Sequence, residues 1–235
     1  MPASFDIEAL KAQAVAARTY AMKKASAGKV LVASVSDQAY KTVDQMRQTW
    51  GGSFNYYYGR VQEAVYSTKG VVMMYNGNYI DALYHAISNG TTEMPKYIWN
   101  SSYPYLVPVD SSLDRNVKNY QASIEMDYGA VSSKLGVNVS EASNIEVLSY
   151  TESGRVNEIN IGEAVFTGVQ VRTKLGLRST DFTIEKIGGG LRITTRGYGH
   201  GVGMSQYGAN ELAKIGYSFS DILAHYYTGI YFASV

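Results

Sequence analysis

Apolar and polar positions along the chain fall into two rhythms, one helical and one alternating, separated by glycine-marked breaks. From Asp6 to about Ala27 there is no Gly or Pro, and Ile7, Leu10, Ala14, Ala17 and Ala21 share one stripe of helical period. This predicts a helix capped by Ser4 or Asp6 and ended at Gly28. Its many alanines let a neighbouring element approach closely, so the helix is expected to be buried. Tyr40 to Trp50 and Arg60 to Thr68 read as two shorter helices. Val71 to Tyr75 and Tyr79 to Ala86 read as strands around Asn76-Gly77, the strongest short hairpin signal in a sequence. Trp99 to Ser112, with Pro104 and Pro108, reads as a connecting loop. Beyond it a helix is predicted over Tyr128 to Leu135, strands over Ile145 to Tyr150 and Arg155 to Ile161, and a helical turn or two over Val169 to Leu175. Phe182 to Ile187 and Leu191 to Thr195 form a hairpin across three glycines. Ser205 caps a helix reaching about Ile215, and Ser218 with Asp221 caps a last one ending near Gly229. Segregated helices and hairpins argue an α+β fold. Its expected organisation is a helical and hairpin core formed by 1–109 and 196–235, with a small α+β subdomain inserted at 110–195.

Composition narrows the function classes. The chain of 235 residues contains no cysteine, which excludes a disulfide scaffold, a thiol nucleophile and a zinc site built on sulfur. A formal charge of +1 leaves no broad electrostatic footprint for nucleic acid or an anionic membrane. No apolar run approaches the roughly 18 residues of a membrane span. Charged residues are 17% of the chain, and 21 tyrosines stand against 6 phenylalanines and 2 tryptophans. Tyrosine surplus with few charges suits a neutral, hydroxyl-rich partner, because the ring offers a flat apolar face and the phenol a hydrogen bond; strand and core filling explains it equally well.

Direct matching removes several chemistries. The glycines at 197, 199, 201 and 203 alternate, so no G-x-G-x-x-G arises, and Gly203 to Gly208 misses the G-x-S-x-G elbow by one residue. His85, His200 and His225 are far apart in sequence and form no H-E-x-x-H, so no metal is expected. If residues 197–203 are extended, every glycine faces one way while Tyr198, His200 and Val202 face the other. A bare face of this kind implies a close approach to the backbone, either by another chain segment or by a ligand such as a sugar ring. His200 and Gln206 then sit beside that gap. Glu8 lies at the border of the buried face of the first helix, where it either complements the helix dipole or forms a cleft wall. Burial works against its charge there, while the helix N-terminus and a cation such as Lys11 or Arg18 favour it.

At this point the residues resemble a known family. Met1 to Tyr20, with Glu8-Ala-Leu-Lys and Arg18, is similar to the helix motif of the stage II sporulation protein D family, which also includes the amidase enhancer of vegetative wall lysis. Tyr198 to Ala209, reading YGHGVGMSQYGA, resembles its second hallmark. Between them Ser88 to Thr92, Ser101 to Leu106 and Lys174 to Ser179 look like further family blocks in family order. The resemblance implies a peptidoglycan lytic transglycosylase acting during engulfment, with Glu8 as catalytic acid and base. Arg18, Tyr84, Ser88, Tyr198, His200, Gln206 and Tyr207 are expected to line the glycan groove, Arg18 being equally eligible as a buried strut. The implied partners are glycan strands and stage II sporulation proteins P and M, with no nucleic acid. It further implies an extracytoplasmic protein tethered by an N-terminal membrane helix lying outside this chain. No cofactor is implied: the zinc-binding histidine and cysteines of some relatives have no counterpart between Ser34 and Ser53. The rival reading is a wall-binding module that enhances a partner amidase without cutting glycan.

Overall fold

A computed structural model describes residues 1–34 and 37–235. The fold is α+β, and the chain divides into two compact units: Met1–Tyr84 with Ala209–Val235, and His85–Gly208. The second unit is wider than the insertion expected at 110–195. It also takes in 85–109 and 196–208, because the glycine-rich segment bridges back onto residues 87–93, as Ile87 with Tyr198 and Glu93 with Val202.

The first unit opens with α1 (Ile7–Ser26), whose N-cap Asp6 accepts the Glu8 amide. Its buried residues are Ala9, Leu10, Ala12, Val15, Ala16 and Thr19. That face is rotated from the stripe expected through Ile7, Ala14, Ala17 and Ala21. An alanine-rich helix has little amphipathic contrast to orient it, and a polar contact decides instead. Thr19 Oγ1 donates to Val15 O at 2.8 Å and accepts from the Met73 amide at 3.0 Å, so it faces the sheet although it is a hydroxyl. Then come α2 (Val43–Trp50), begun by a Thr42–Gln45 capping box, and α3 (Phe54–Ser67), which starts six residues before the expected Arg60. β1 (Val71–Tyr75) turns at Asn76 and Gly77, both with positive φ, into β2 (Asn78–Tyr79). The strand expected over Tyr79 to Ala86 is interrupted: Leu83 N bonds Asp81 O, and β3 (Tyr84–His85) is separate.

The second unit contains α4 (Lys96–Trp99), β4 (Gln121–Asp127), α5 (Tyr128–Leu135), β5 (Ile145–Tyr150), β6 (Val156–Ile161), β7 (Ala164–Thr167), α6 (Gly168–Leu175), β8 (Phe182–Ile187), β9 (Gly190–Arg196) and β10 (Met204–Ser205). Two antiparallel three-stranded sheets, β4-β9-β8 and β5-β6-β7, enclose a core with α5 and α6. Val131, Leu135, Ile159, Ile161, Val171, Leu191 and Ile193 are buried in that core. The chain leaves through α7 (Gln206–Lys214), whose first turn Ser205 caps by accepting the Gly208 amide at 3.2 Å. In the first unit again, α8 (Phe219–Tyr226) packs on α1, and β11 (Tyr231–Ser234) pairs with β1 to give the order β11-β1-β2. Among the described residues no helix is long and apolar enough to cross a membrane.

Candidate active site

In the first unit, Glu8 stands one residue into α1 with about a quarter of its side chain exposed. Both oxygens are occupied: Oε1 accepts from Lys11 Nζ at 2.6 Å, and Oε2 from the Phe219 amide at 2.7 Å. Phe219 is the first residue of α8, and its N–H is one of the donors a helix start cannot satisfy internally. Glu8 therefore closes the N-terminus of a helix 211 residues away, a pairing no local pattern announces. Of the two cations expected near it, Lys11 is the partner. Arg18 is a strut: Nη1 donates to Thr68 O at 2.7 Å and Val71 O at 2.9 Å, while Nη2 reaches Val65 O at 3.3 Å. It gathers the carbonyls where α3 ends and β1 begins. Tyr84 is half-buried; burial raises its phenol above the ordinary value, and its side chain bonds Gln13 of α1.

In the second unit, residues 197–203 are not the extended strand expected. Gly197, Gly199, Gly201 and Gly203 all have positive φ, between 68° and 115°, and the chain coils through them. The object crowding Gly197, Gly199 and Gly201 is another segment of the protein itself, the first of the two expected close approaches. A Cβ on Gly197 would lie 2.8 Å from Ile87 O, one on Gly199 2.8 Å from His85 Cβ, and one on Gly201 2.7 Å from Arg155 Nη2. Tyr198 consequently faces solvent, its ring 4.8 Å from the Arg178 guanidinium, whereas Val202 is fully buried.

His85 and His200, distant in sequence, come together with ring centroids 5.7 Å apart, and Trp99 lies 5.0 Å from His200. Val202 fixes the tautomer of both imidazoles. Its N–H donates to His200 Nδ1 at 3.1 Å, so His200 carries its proton at Nε2; its carbonyl accepts from His85 Nδ1 at 3.1 Å, so His85 carries its proton at Nδ1. His85 Nε2 is then a buried acceptor without a hydrogen-bond partner among the described residues. Burial, with the neighbouring His200 and Arg155, holds the His85 imidazole well below its ordinary value and hence neutral. Among the described residues no group of three or more His, Cys, Asp or Glu side chains is placed to hold a metal ion.

Ser88 is fully buried: its amide donates to Asp114 Oδ2 at 2.9 Å, and its Oγ accepts the Gly90 amide at 2.9 Å. It supports the motif from inside and does not reach solvent. Ser205 Oγ donates to the other Asp114 oxygen at 3.0 Å, so one buried carboxyl ties the Ser88 block to the glycine-rich block. Burial raises the Asp114 carboxyl above its ordinary value against the pull of these donors. Gln206 and Tyr207, both half-buried, begin α7, and the Tyr207 amide donates to Ala86 O at 3.0 Å. Sequence reasoning did not find Trp99, His85 or Asp114 as participants. Each joins the site through partners distant in the chain, His200 for Trp99, Val202 for His85, and Ser88 with Ser205 for Asp114, so no local pattern marks them.

Comparison with known proteins gives one family model and several relatives. The family model described as SpoIID, Stage II sporulation protein, matches residues 1–75. The chain is 37% identical over 238 residues to Stage II sporulation protein D of Bacillus subtilis (strain 168), covering 97% of this chain and 69% of that protein. It is 38% identical over 239 residues to the Bacillus amyloliquefaciens protein of the same name, covering 98% and 70%. It is also 30% identical over 285 residues to the Amidase enhancer of Bacillus subtilis (strain 168), covering 97% of this chain and 38% of that protein.

Proposed function

The chain belongs to the stage II sporulation protein D family, and from that premise we propose that it is a lytic transglycosylase that cuts denuded glycan during engulfment. The bond broken is the β-1,4 link between N-acetylmuramic acid and N-acetylglucosamine. Glu8, protonated, donates to the glycosidic oxygen as the bond breaks with oxocarbenium character. The same carboxylate then takes the proton of the C6 hydroxyl, which closes on C1 to leave a 1,6-anhydro end. No water attacks, so one carboxyl suffices where a hydrolase needs two.

The observation that carries the reading is the position of Glu8. It is an acid within the family-matched stretch, mounted on a helix rather than a loop and still open to solvent on one side. Its contacts add a requirement. An oxygen that accepts from an ammonium has no proton of its own to give, so bound glycan must displace Lys11 or turn the carboxyl away from it. Tyr198, His200, Gln206 and Tyr207 are assigned to glycan contact, with Tyr84 and Arg18 supporting the helix that holds Glu8. Stage II sporulation proteins P and M are the proposed partners in the wall.

Mass spectrometry of a denuded-peptidoglycan digest tests this. Wild type should release anhydro-terminated glycan, one water lighter than a hydrolysed product. Glu8→Gln should lose release by about 10²–10⁴-fold and still bind glycan. Reducing ends would replace transglycosylation with hydrolysis. The second reading, a wall-binding amidase enhancer, is favoured by the likeness to the amidase enhancer and by the doubly occupied Glu8. It predicts glycan binding with no cut product from either chain.

A further inference from the structure

Within the second unit a cleft of about 360 Å³ is lined by α4, the β5–β6 turn with the start of β6, and the start of α6. None of its lining residues belongs to the blocks that identify the family. We infer that this cleft is a binding subsite for one N-acetylated hexosamine ring of the glycan, with Trp99 as its stacking wall and Asn157 and Thr167 reading the acetamido group. The inference rests on the glycan reading above and deepens it.

The lining chemistry selects this ligand. Trp99 is 48% exposed, an indole face that solvent reaches although its other contacts include His200. Such a face covers the C–H side of a pyranose ring. Val169 supplies apolar surface for a methyl group, and Val156 behind it belongs to the buried core of the unit. Asn157 Nδ2 donates to Ser149 Oγ at 3.0 Å, which keeps the amide oxygen for an incoming N–H. Thr167 Oγ1 already accepts the Gln170 amide at 3.1 Å, which leaves its hydroxyl proton for an incoming carbonyl. An acetamido group presents those three features together: N–H, C=O and methyl. Charge is cancelled at the rim, where Lys96 pairs with Glu152 at 2.9 Å and Tyr97 bonds the same carboxylate. A neutral ligand is therefore favoured over an anionic one. The larger depression of about 630 Å³ around Asn138, Ser143 and Glu163 is lined by no aromatic ring and lacks this match. Because Trp99 also touches His200, the sugar bound here lies next to a ring assigned to glycan contact.

Trp50→Phe leaves Trp99 as the only indole in the chain, so tri-N-acetylchitotriose can be titrated while Trp99 emission is followed. Binding should shift that emission saturably. Asn157→Leu and Thr167→Val, each introduced into the Trp50→Phe chain, should weaken the affinity about tenfold, and in denuded-glycan digestion they should raise KM with kcat little changed. Unshifted Trp99 emission, or unaltered affinity in both variants, in a protein that binds or cuts denuded glycan overturns the subsite and leaves the glycan reading intact. A wild-type protein that neither binds nor cuts denuded glycan overturns the glycan reading, and the subsite with it.

Discussion

At the scale of single residues, the chain commits ionisable groups to environments that local sequence does not advertise. His85 is the clearest case. Unfolded, its imidazole takes up a proton below about pH 6.5; folded, burial keeps it neutral. The unfolded chain then binds more protons, so stability falls as pH drops below that value, by about 1.4 kcal/mol per pH unit until the folded group titrates. Asp114 acts in the opposite sense: its raised carboxyl keeps a proton that the unfolded chain releases above about 3.8, so its contribution declines as pH rises from there. The two overlap, and the His85 share is therefore the difference in pH slope between wild type and His85→Gln in urea unfolding. The variant should lack the acid-side slope; equal slopes would place the imidazole in contact with water. Candidate residues such as Glu8, Arg18 and His200 were legible because they sit in long specific blocks. Their partners were not, since the Phe219 amide, Thr68 O and Val202 are joined to them only by the fold.

At the scale of elements, the glycines differ in what they permit. Gly136 ends α5 with φ +80° and nothing within 4 Å of an added Cβ, so Gly136→Ala costs only the backbone strain, about 1 kcal/mol. Gly201 combines φ +83° with a Cβ position 2.7 Å from Arg155 Nη2. That guanidinium is buried with Glu93, sharing Ser153 Oγ as a bridge at 2.7 and 2.6 Å. Moving it unsettles a buried ion pair, and Gly201→Ala should cost about 2–4 kcal/mol. Equal costs for the two variants in urea denaturation would show that the Arg155 contact yields freely. The same contrast explains which elements were readable. α1, the Asn76-Gly77 turn and the Ser218–Asp221 cap announce themselves through neighbours in sequence. β4 and β11 do not: each is specified by a strand distant in the chain, β9 and β1 respectively. The glycine-rich segment was recognisable as unusual, but its alternation encodes a coil of positive φ and not a strand with one bare face.

At the scale of the whole molecule, the units differ in how the chain builds them. Residues 85–208 form one continuous run, whereas the other unit needs both 1–84 and 209–235, with α8 against α1 and β11 against β1. A continuous unit with its own core can fold alone. The fragment 85–208 should give a dispersed amide spectrum, and 1–84 without its C-terminal complement should not, as it lacks the strand that pairs β1 along Val71 to Met74. A dispersed spectrum from 1–84 would assign β11 a peripheral role. The split build also has a mechanical consequence. Pull on residues 1 and 235 and the tension passes through the discontinuous unit, whose contacts short-circuit the loop between residues 84 and 209. The inserted run is shielded from load until its host gives way, so under force the molecule should yield in a set order, host before guest.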